Sequence, residues 1–266
     1  MITKIEPHPC LDHLIDYYWV DKYNDGNFKI LPDGSSSIMF TIGSPFSILD
    51  IGGNKKIIKN DVLIGVQKKY FVLTKDIDTY LIGVKFKQGE AYHFFKKPML
   101  QFTDNIINLN DVFNADTAAL GEVLVKAENE DEIRKILNYF FFINVESLIC
   151  ESKVVDSVIE KVKVSKTALL IKDLCESENI SNKHLISLFN KKVGLSPKLL
   201  YRINKFLKVI EILQNSTVVS WSQIAYECHY YDQAHLINEF KKFSSLSPNE
   251  YLENENAVGL RIKLST

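Results

Sequence analysis

Residues 181–197, SNKHLISLFNKKVGLSP, and residues 232–248, DQAHLINEFKKFSSLSP, decide how this chain is read, because they are one pattern written twice. Leu185, Phe189, Leu195, Ser196 and Pro197 recur 51 residues later as Leu236, Phe240, Leu246, Ser247 and Pro248, and His184 matches His235 at the same offset. A pattern repeated at that spacing is a duplicated structural unit.

Each copy reads as two short helices joined by a tight turn. In the first, Ser165 is placed to cap a helix carrying Leu169, Leu170, Leu174 and Cys175 that stops near Glu178 and Asn179. Ser181 then caps a second helix with Leu185, Leu188 and Phe189 inward. In the second copy, Ser220 and Gln223 have the spacing of a capping box for Trp221 to Cys228. Asp232 caps the partner, which carries Leu236, Phe240 and Phe243 inward. Paired helices of this kind form a helix-turn-helix, whose second helix enters the DNA major groove. Between the copies, Ser196 and Pro197 open a helix with one apolar stripe from Leu199 through Ile203, Phe206 and Ile210 to Leu213, and Asn215 stands near its end. Such a rod is roughly 28 Å long at 1.5 Å per residue, close to the ~34 Å between major-groove faces on one side of a duplex. One chain is thereby expected to offer two recognition helices to successive turns of DNA.

The segments Ile171-Lys172-Asp173-Leu174, Phe189 to Pro197, and Tyr230 to Leu236 resemble the DNA-binding module of the AraC/XylS transcription regulators, and Phe240 to Phe243 followed by Leu246 to Leu252 resembles its closing signature. The resemblance spans residues 170–252 in the right order and spacing. It implies a sequence-specific DNA-binding transcription regulator with no enzymatic activity and no cofactor. Double-stranded DNA and RNA polymerase are its implied partners, and a small-molecule effector and a second copy of the chain are further candidates.

Outward from the repeat, 266 residues are more than one domain usually holds. No apolar run approaches the ~20 residues of a membrane span, and Met1 to Glu6 has no signal-peptide core, so a cytoplasmic protein is expected, of the bacterial type that the resemblance implies. Cys10, Cys150, Cys175 and Cys228 are scattered, with no pair at metal-ligand spacing. Charge divides the chain: 17 Lys and Arg face 23 Asp and Glu over residues 1–160, against 13 and 8 over residues 161–250. The basic excess of the repeat is modest, so DNA affinity must depend on where its lysines sit.

Short apolar stretches separated by turns fill the front half: Ser37–Ile42, Phe46–Ile51, Val62–Val66, Tyr70–Thr74 and Tyr80–Phe86, with Pro32-Asp33-Gly34 and Gly52-Gly53-Asn54 among the breaks. They predict a small β-sandwich or barrel. Helices are expected around residues 90–96, 116–127 and 130–150, and residues 151–166 as the interdomain connection. The last helix is apolar on more than one face, with Tyr139 and Phe142 widening a stripe that runs from Ile133 to Ile149, which marks it as a packed or dimer-forming helix. Leu31-Pro32-Asp33-Gly34 and Gly83 to Tyr92 look like the sensor domain of one AraC-type subgroup, which implies a cupin-like fold; Gln88 stands where that family often has proline. A metal-dependent enzyme of cupin type would need clustered histidines, whereas His8, His13 and His93 are isolated.

The expected architecture is therefore α+β: residues 1–155 a β-rich, cupin-like sensor and dimerisation domain with flanking helices, 160–256 an all-α domain of two helix-turn-helix units joined by a long helix, and 257–266 a tail. With the apolar face inward, helical geometry turns Lys183, Ile186, Ser187 and Asn190 of the first recognition helix outward, and these match the family's base-contacting positions. In the second helix the same offset picks Gln233, Ala234, Asn238 and Lys241, of which the first three are assigned to bases. Gln233 and Asn238 suit adenine, while Ile186 and Ala234 suit thymine methyls. Lys191, Lys192, Lys198, Arg202, Lys241 and Lys242 are assigned to phosphates. The family often has arginine at the positions of Ser187 and Asn238, which moves the expected preference from guanine towards A·T pairs, and glycine at that of His229 in the second turn. Two alternatives stand beside this reading. One is an enzyme fused to a DNA reader, as in the Ada-type repair methyltransferases, whose cysteine motifs Cys10 lacks; the other is a helix-turn-helix adaptor that has lost DNA.

Overall fold

A computed structural model describes residues 2–113, 117–144, 153–164, 171–215, 220–254, 257–258 and 260–264. Among the described residues twelve strands and eleven α-helices fall into two blocks, with the strands concentrated before residue 110.

Two six-stranded antiparallel sheets make the N-terminal domain. The first joins β1 (Ile2–Ile5), β2 (Ile15–Asp21), β9 (Thr79–Phe86), β4 (Ser37–Gly43), β7 (Val62–Ile64) and β10 (Ile106–Asn108) in that order. The second joins β11 (Ala257–Val258), β12 (Arg261–Leu264), β3 (Gly26–Ile30), β8 (Phe71–Lys75), β5 (Phe46–Leu49) and β6 (Lys55–Ile58). Phe28, Phe46, Ile48, Phe71 and Leu73 of one sheet share a core with Met39, Val62, Ile64 and Leu81 of the other, so the sheets stack as a sandwich. The strand at 79–86 is central and buries both faces: Leu81 enters the sandwich, while Ile82, Val84 and Phe86 enter a second core on the outer face. Helices cover that face. They are α1 (Tyr92–Phe95), α2 (Leu109–Val112), α3 (Thr117–Val125) and α4 (Glu130–Asn144), with a 3-10 turn at Met99–Phe102. Phe141 of α4 packs edge-on against Phe86 and Phe94 at centroid distances of 6.0 and 4.8 Å. The rest of the expected 130–150 helix, with Leu148 and Ile149, lies outside the described residues, as do Ser165, Leu169 and Leu170.

The helical block comprises α5 (Lys153–Val164), α6 (Ile171–Ser177), α7 (Asn182–Lys192), α8 (Pro197–Asn215), α9 (Trp221–Glu227), α10 (Gln233–Ser244) and α11 (Pro248–Leu252). Its core runs along α8 through Leu200, Ile203, Phe206, Val209, Ile210 and Leu213, and it takes in Leu185 and Phe189 from one unit and Leu236, Phe240 and Phe243 from the other. Two segments do more than expected. The connection at 151–166 contains α5, whose Val155, Val158, Ile159 and Val162 are buried in this core. The segment read as a tail returns to the N-terminal domain, where β12 pairs with β3 from Arg261↔Ile30 to Leu264↔Asn27. Ile262 is fully buried there, and Arg261 pairs at 2.8 Å with Asp21, which lies 3.7 Å from the buried Lys75.

Candidate nucleic-acid interface

The caps that open α7 and α10 are local. The Ser181 hydroxyl accepts from the His184 N–H at 3.2 Å and the Asp232 carboxylate from the His235 N–H at 2.7 Å, each closing a first turn. Ser247 and Glu250 form a reciprocal capping box that opens α11, with Pro248 at its first position. One expected box is absent: Ser220 makes no side-chain cap bond, and the Gln223 side chain donates to Glu227 at 2.9 Å along α9. Asn179 and His229 both adopt the left-handed conformation, at φ 52° and 56°, so the histidine fills the place where the family often has glycine. Lys205 of α8 supports that turn by donating to the His229 carbonyl, with its ammonium 3.8 Å from the centre of the Tyr230 ring. Burial holds this lysine's pKa below its ordinary value, with the Glu239 carboxylate pulling the other way.

The side chains assigned to base reading are presented as helical geometry requires. Lys183, Ile186 and Ser187 are exposed on α7 and Asn190 is half-buried; Gln233, Ala234 and Asn238 are exposed on α10. The phosphate set divides. Lys191, Lys198, Lys241 and Lys242 are exposed, and Lys191 lies 5.1 Å from the Tyr92 ring centre of the N-terminal domain. Lys192 does not reach the surface. It is 3 % exposed, with its ammonium 3.9 Å from Asp156 of α5, because the C-terminal end of α7 docks on the N-terminal domain. Arg202 is half-buried and spends its guanidinium on Glu239, through Nε at 2.6 Å and Nη2 at 3.2 Å, while Lys242 reaches the same carboxylate at 2.8 Å. Burial alone would raise the Glu239 carboxyl, but these donors outweigh it and hold it below the ordinary range. Arg202 and Glu239 thus lock α10 to α8. Glu239 and Lys205 went unseen in the sequence because each is recognised only through a partner on another helix.

The interface is tied to the sandwich at several points. Thr103 donates to the Gly194 carbonyl at 2.7 Å, and a Cβ on Gly194 would lie 2.9 Å from the Met99 carbonyl. Gln88 donates to Asn204 of α8 at 2.8 Å and to the Asp33 carbonyl at 2.8 Å, which joins the Pro-Asp-Gly turn to the rod. Lys29 of β3 donates to Ser245 Oγ at 2.6 Å and to the Ser244 carbonyl at 3.3 Å, at the end of α10. Between the sandwich and α8 lies a cavity of about 770 Å³, lined by Trp19, Phe28, Met39 and Leu73 from the sheets, Leu207 from α8 and Arg261 from β12. Among the described residues no group of three or more His, Cys, Asp or Glu could hold a metal ion, and no helix is long and apolar enough to cross a membrane.

Residues 174–254 match the profile of a family described as a helix-turn-helix domain, and residues 3–108 that of a domain of unknown function, DUF6597. Among solved structures, ToxT from Vibrio cholerae is similar at 14 % identity and a TM-score of 0.50, over 88 % of this chain and 97 % of that one. ToxT from Vibrio cholerae O395 gives 14 % and 0.50, over 88 % and 96 %. At such identities the likeness is one of fold, and it spans both halves of the chain. No curated protein matches.

Proposed function

We propose that this chain, which carries a helix-turn-helix domain with two units behind a β-rich domain of unknown function and resembles the AraC/XylS regulators, is a DNA-binding transcription regulator that reads two successive major grooves, α7 in one and α10 in the other. The observation that carries this reading is the shared core. Both reading helices bury their apolar faces against α8, 19 residues and roughly 28 Å long, while the assigned base-reading residues stay outward. On that reading Lys183, Ile186, Ser187, Asn190, Gln233, Ala234 and Asn238 touch bases, and Lys191, Lys198, Lys241 and Lys242 touch phosphates. Lys192 and Arg202 act instead as supports. Selection of bound duplexes from a random pool is expected to return two sequence elements whose centres lie about one helical turn, roughly 10 bp, apart. A single element would overturn two-groove reading.

Control by a small molecule is the second part of the proposal. The cavity touches the sandwich, α8 and β12 at once, so an occupant gains or loses contacts whenever these parts shift. Filling it by Leu207→Trp is expected to abolish the melting shift that a bound effector gives the parent. We also propose that a second copy seats on α4, whose Tyr139 and Ile143 are 68 % and 62 % exposed; Tyr139→Lys should lower the oligomer's sedimentation coefficient to that of one chain. RNA polymerase is the expected partner in the regulated complex.

A further inference from the structure

The two units are not equal in length, and the difference is one residue. In α6 and α9 with their turns, the equivalent positions lie 50 apart. The Ile180 N–H bonds to the Cys175 carbonyl at 3.0 Å as the Tyr230 N–H bonds to that of Ala225 at 2.8 Å, and left-handed Asn179 answers to left-handed His229. From the N-caps onward the offset is 51, Ser181 answering to Asp232. The second turn therefore holds one residue more than the first, between Tyr230 and Asp232, and that residue is Tyr231.

The insertion is seated rather than loose. The Tyr231 N–H donates to Nδ1 of His235 at 3.3 Å, and the His235 ring stands edge-on to the buried Tyr230 at 5.4 Å and 89°. Only the Tyr231 side chain projects, 92 % exposed. An aromatic ring held this far into solvent, directly before the first turn of a reading helix, stands where such a helix meets DNA. Its place before the N-cap puts it outside the turn whose Gln233 and Ala234 face bases, and so nearer the backbone. Tyrosine hydroxyls are among the usual donors to phosphate, the partial positive charge of a helix N-terminus favours an anion there, and two χ angles leave little entropy to lose.

We propose that Tyr231 is a DNA-backbone contact present only in the second unit, its hydroxyl donating to a phosphate beside the groove that α10 enters. This rests on the DNA-binding reading above. The test is fluorescence anisotropy with the full chain, on a duplex selected with the parent and on a scrambled duplex. Tyr231→Phe should weaken both by about tenfold, the worth of one hydrogen bond to a charged acceptor. The slope of affinity against salt should stay the same, because a neutral phenol displaces no counterion. Tyr231→Ala should bind no better than Tyr231→Phe and should melt with the parent. Parent-like affinity in Tyr231→Phe, whether or not Tyr231→Ala is impaired, overturns the hydroxyl contact. A changed preferred sequence in Tyr231→Phe moves the contact to a base and overturns it as well. If the parent binds neither duplex, the DNA-binding reading fails first and the proposal falls with it.

Discussion

The two helix-turn-helix units share a pattern, yet they are held in place by different means. The first is pressed against the N-terminal domain where α7 ends: Gly194 meets Thr103 and the Met99 carbonyl with no room for a Cβ. The second is braced from within. Arg202 and Lys205 of α8 hold Glu239 and the His229 turn, and the direct hydrogen bonds described from the N-terminal domain to α10 and its cap come through Lys29. Backbone packed at contact distance transmits a displacement, whereas a long lysine side chain absorbs one. A signal from the sandwich should therefore move the first reading helix more than the second.

The largest expected effect concerns what the helical block needs in order to stand alone. Cutting at residue 160 removes Val155, Val158 and Ile159 from the core. At about 1.5 to 3 kcal/mol per buried side chain, and less after allowance for a compact unfolded state, the loss is roughly 5 kcal/mol. That rivals the whole stability of a small domain. Fragment 153–256 should unfold cooperatively in urea and bind duplex DNA at low salt, whereas fragment 160–256 should show little cooperative unfolding. Coincident urea midpoints would show that α5 belongs to the junction and not to the DNA-binding block.

Next in size is the close contact that distinguishes the first unit. Gly194 has φ 83°, which a side chain adopts only with strain, and the added Cβ of Gly194→Ala would also press on Thr103 and the Met99 carbonyl. About 3 kcal/mol of destabilisation is expected in thermal melts of the full chain. Lys29→Met removes the second unit's tether and should cost far less. Equal costs would erase the contrast between the two modes of attachment.

How much of this was legible in the sequence follows from how local each cause is. Caps, turns and the stripes of α7, α8 and α10 lie within a few residues of one another, so SNKHLISLF and DQAHLINEF announce their own helices. The strands at 37–43, 46–49, 62–64, 71–75 and 79–86 are legible because turn residues separate them, among them Gly34, Gly43-Ser44-Pro45, Gly52-Gly53-Asn54, Gly65 and Asp76-Ile77-Asp78. By contrast β1, β2, β3, β6, β10 and β12 are defined by partners elsewhere in the chain. Arg-Ile-Lys-Leu at 261–264 looks like a charged tail until β3 lies beside it and Asp21 meets its arginine. Lys192 looked like its neighbour Lys191, and only docking of the N-terminal domain separates the buried lysine from the exposed one. The extra Tyr231 is not visible in the 51-residue repeat of the two helices α7 and α10, since the offset changes one residue before the N-cap.

Base reading should sharpen the comparison further. Gln233 and Asn238 offer amide forks suited to adenine, whereas Ile186 and Ser187 offer one apolar contact and one short hydroxyl. Binding-site selection on Gln233→Ala or Asn238→Ala should relax preference at one base position by roughly 2 kcal/mol, while Lys241→Ala weakens all sequences alike. Should Ile186→Ala change the preferred sequence and neither amide variant do so, the first unit carries the readout.

The smallest expected effect tests the first unit's seat through pH. Glu90 stands at the junction with its carboxyl pushed up to about 7, first by burial and then by Asp156, against the opposing pull of Lys192, Lys163 and Lys87; His93 lies 3.5 Å away. A carboxyl raised in this way binds its proton more tightly in the folded chain than in the unfolded one, where it titrates near 4.5. Its contribution to stability is therefore fully present below that value and is lost as pH climbs through about 7. Glu90→Gln keeps the shape and cannot ionise. It should match the parent in thermal melts at acid pH and exceed it by about 1 kcal/mol above pH 8, with the difference opening between the two pKa values. If the lysines dominate instead, the ionised carboxylate is the stabilising form, and Glu90→Gln will melt below the parent at high pH. The junction would then be an ordinary ion-pair cluster, and the first unit's hold on the N-terminal domain would tighten rather than loosen as pH rises.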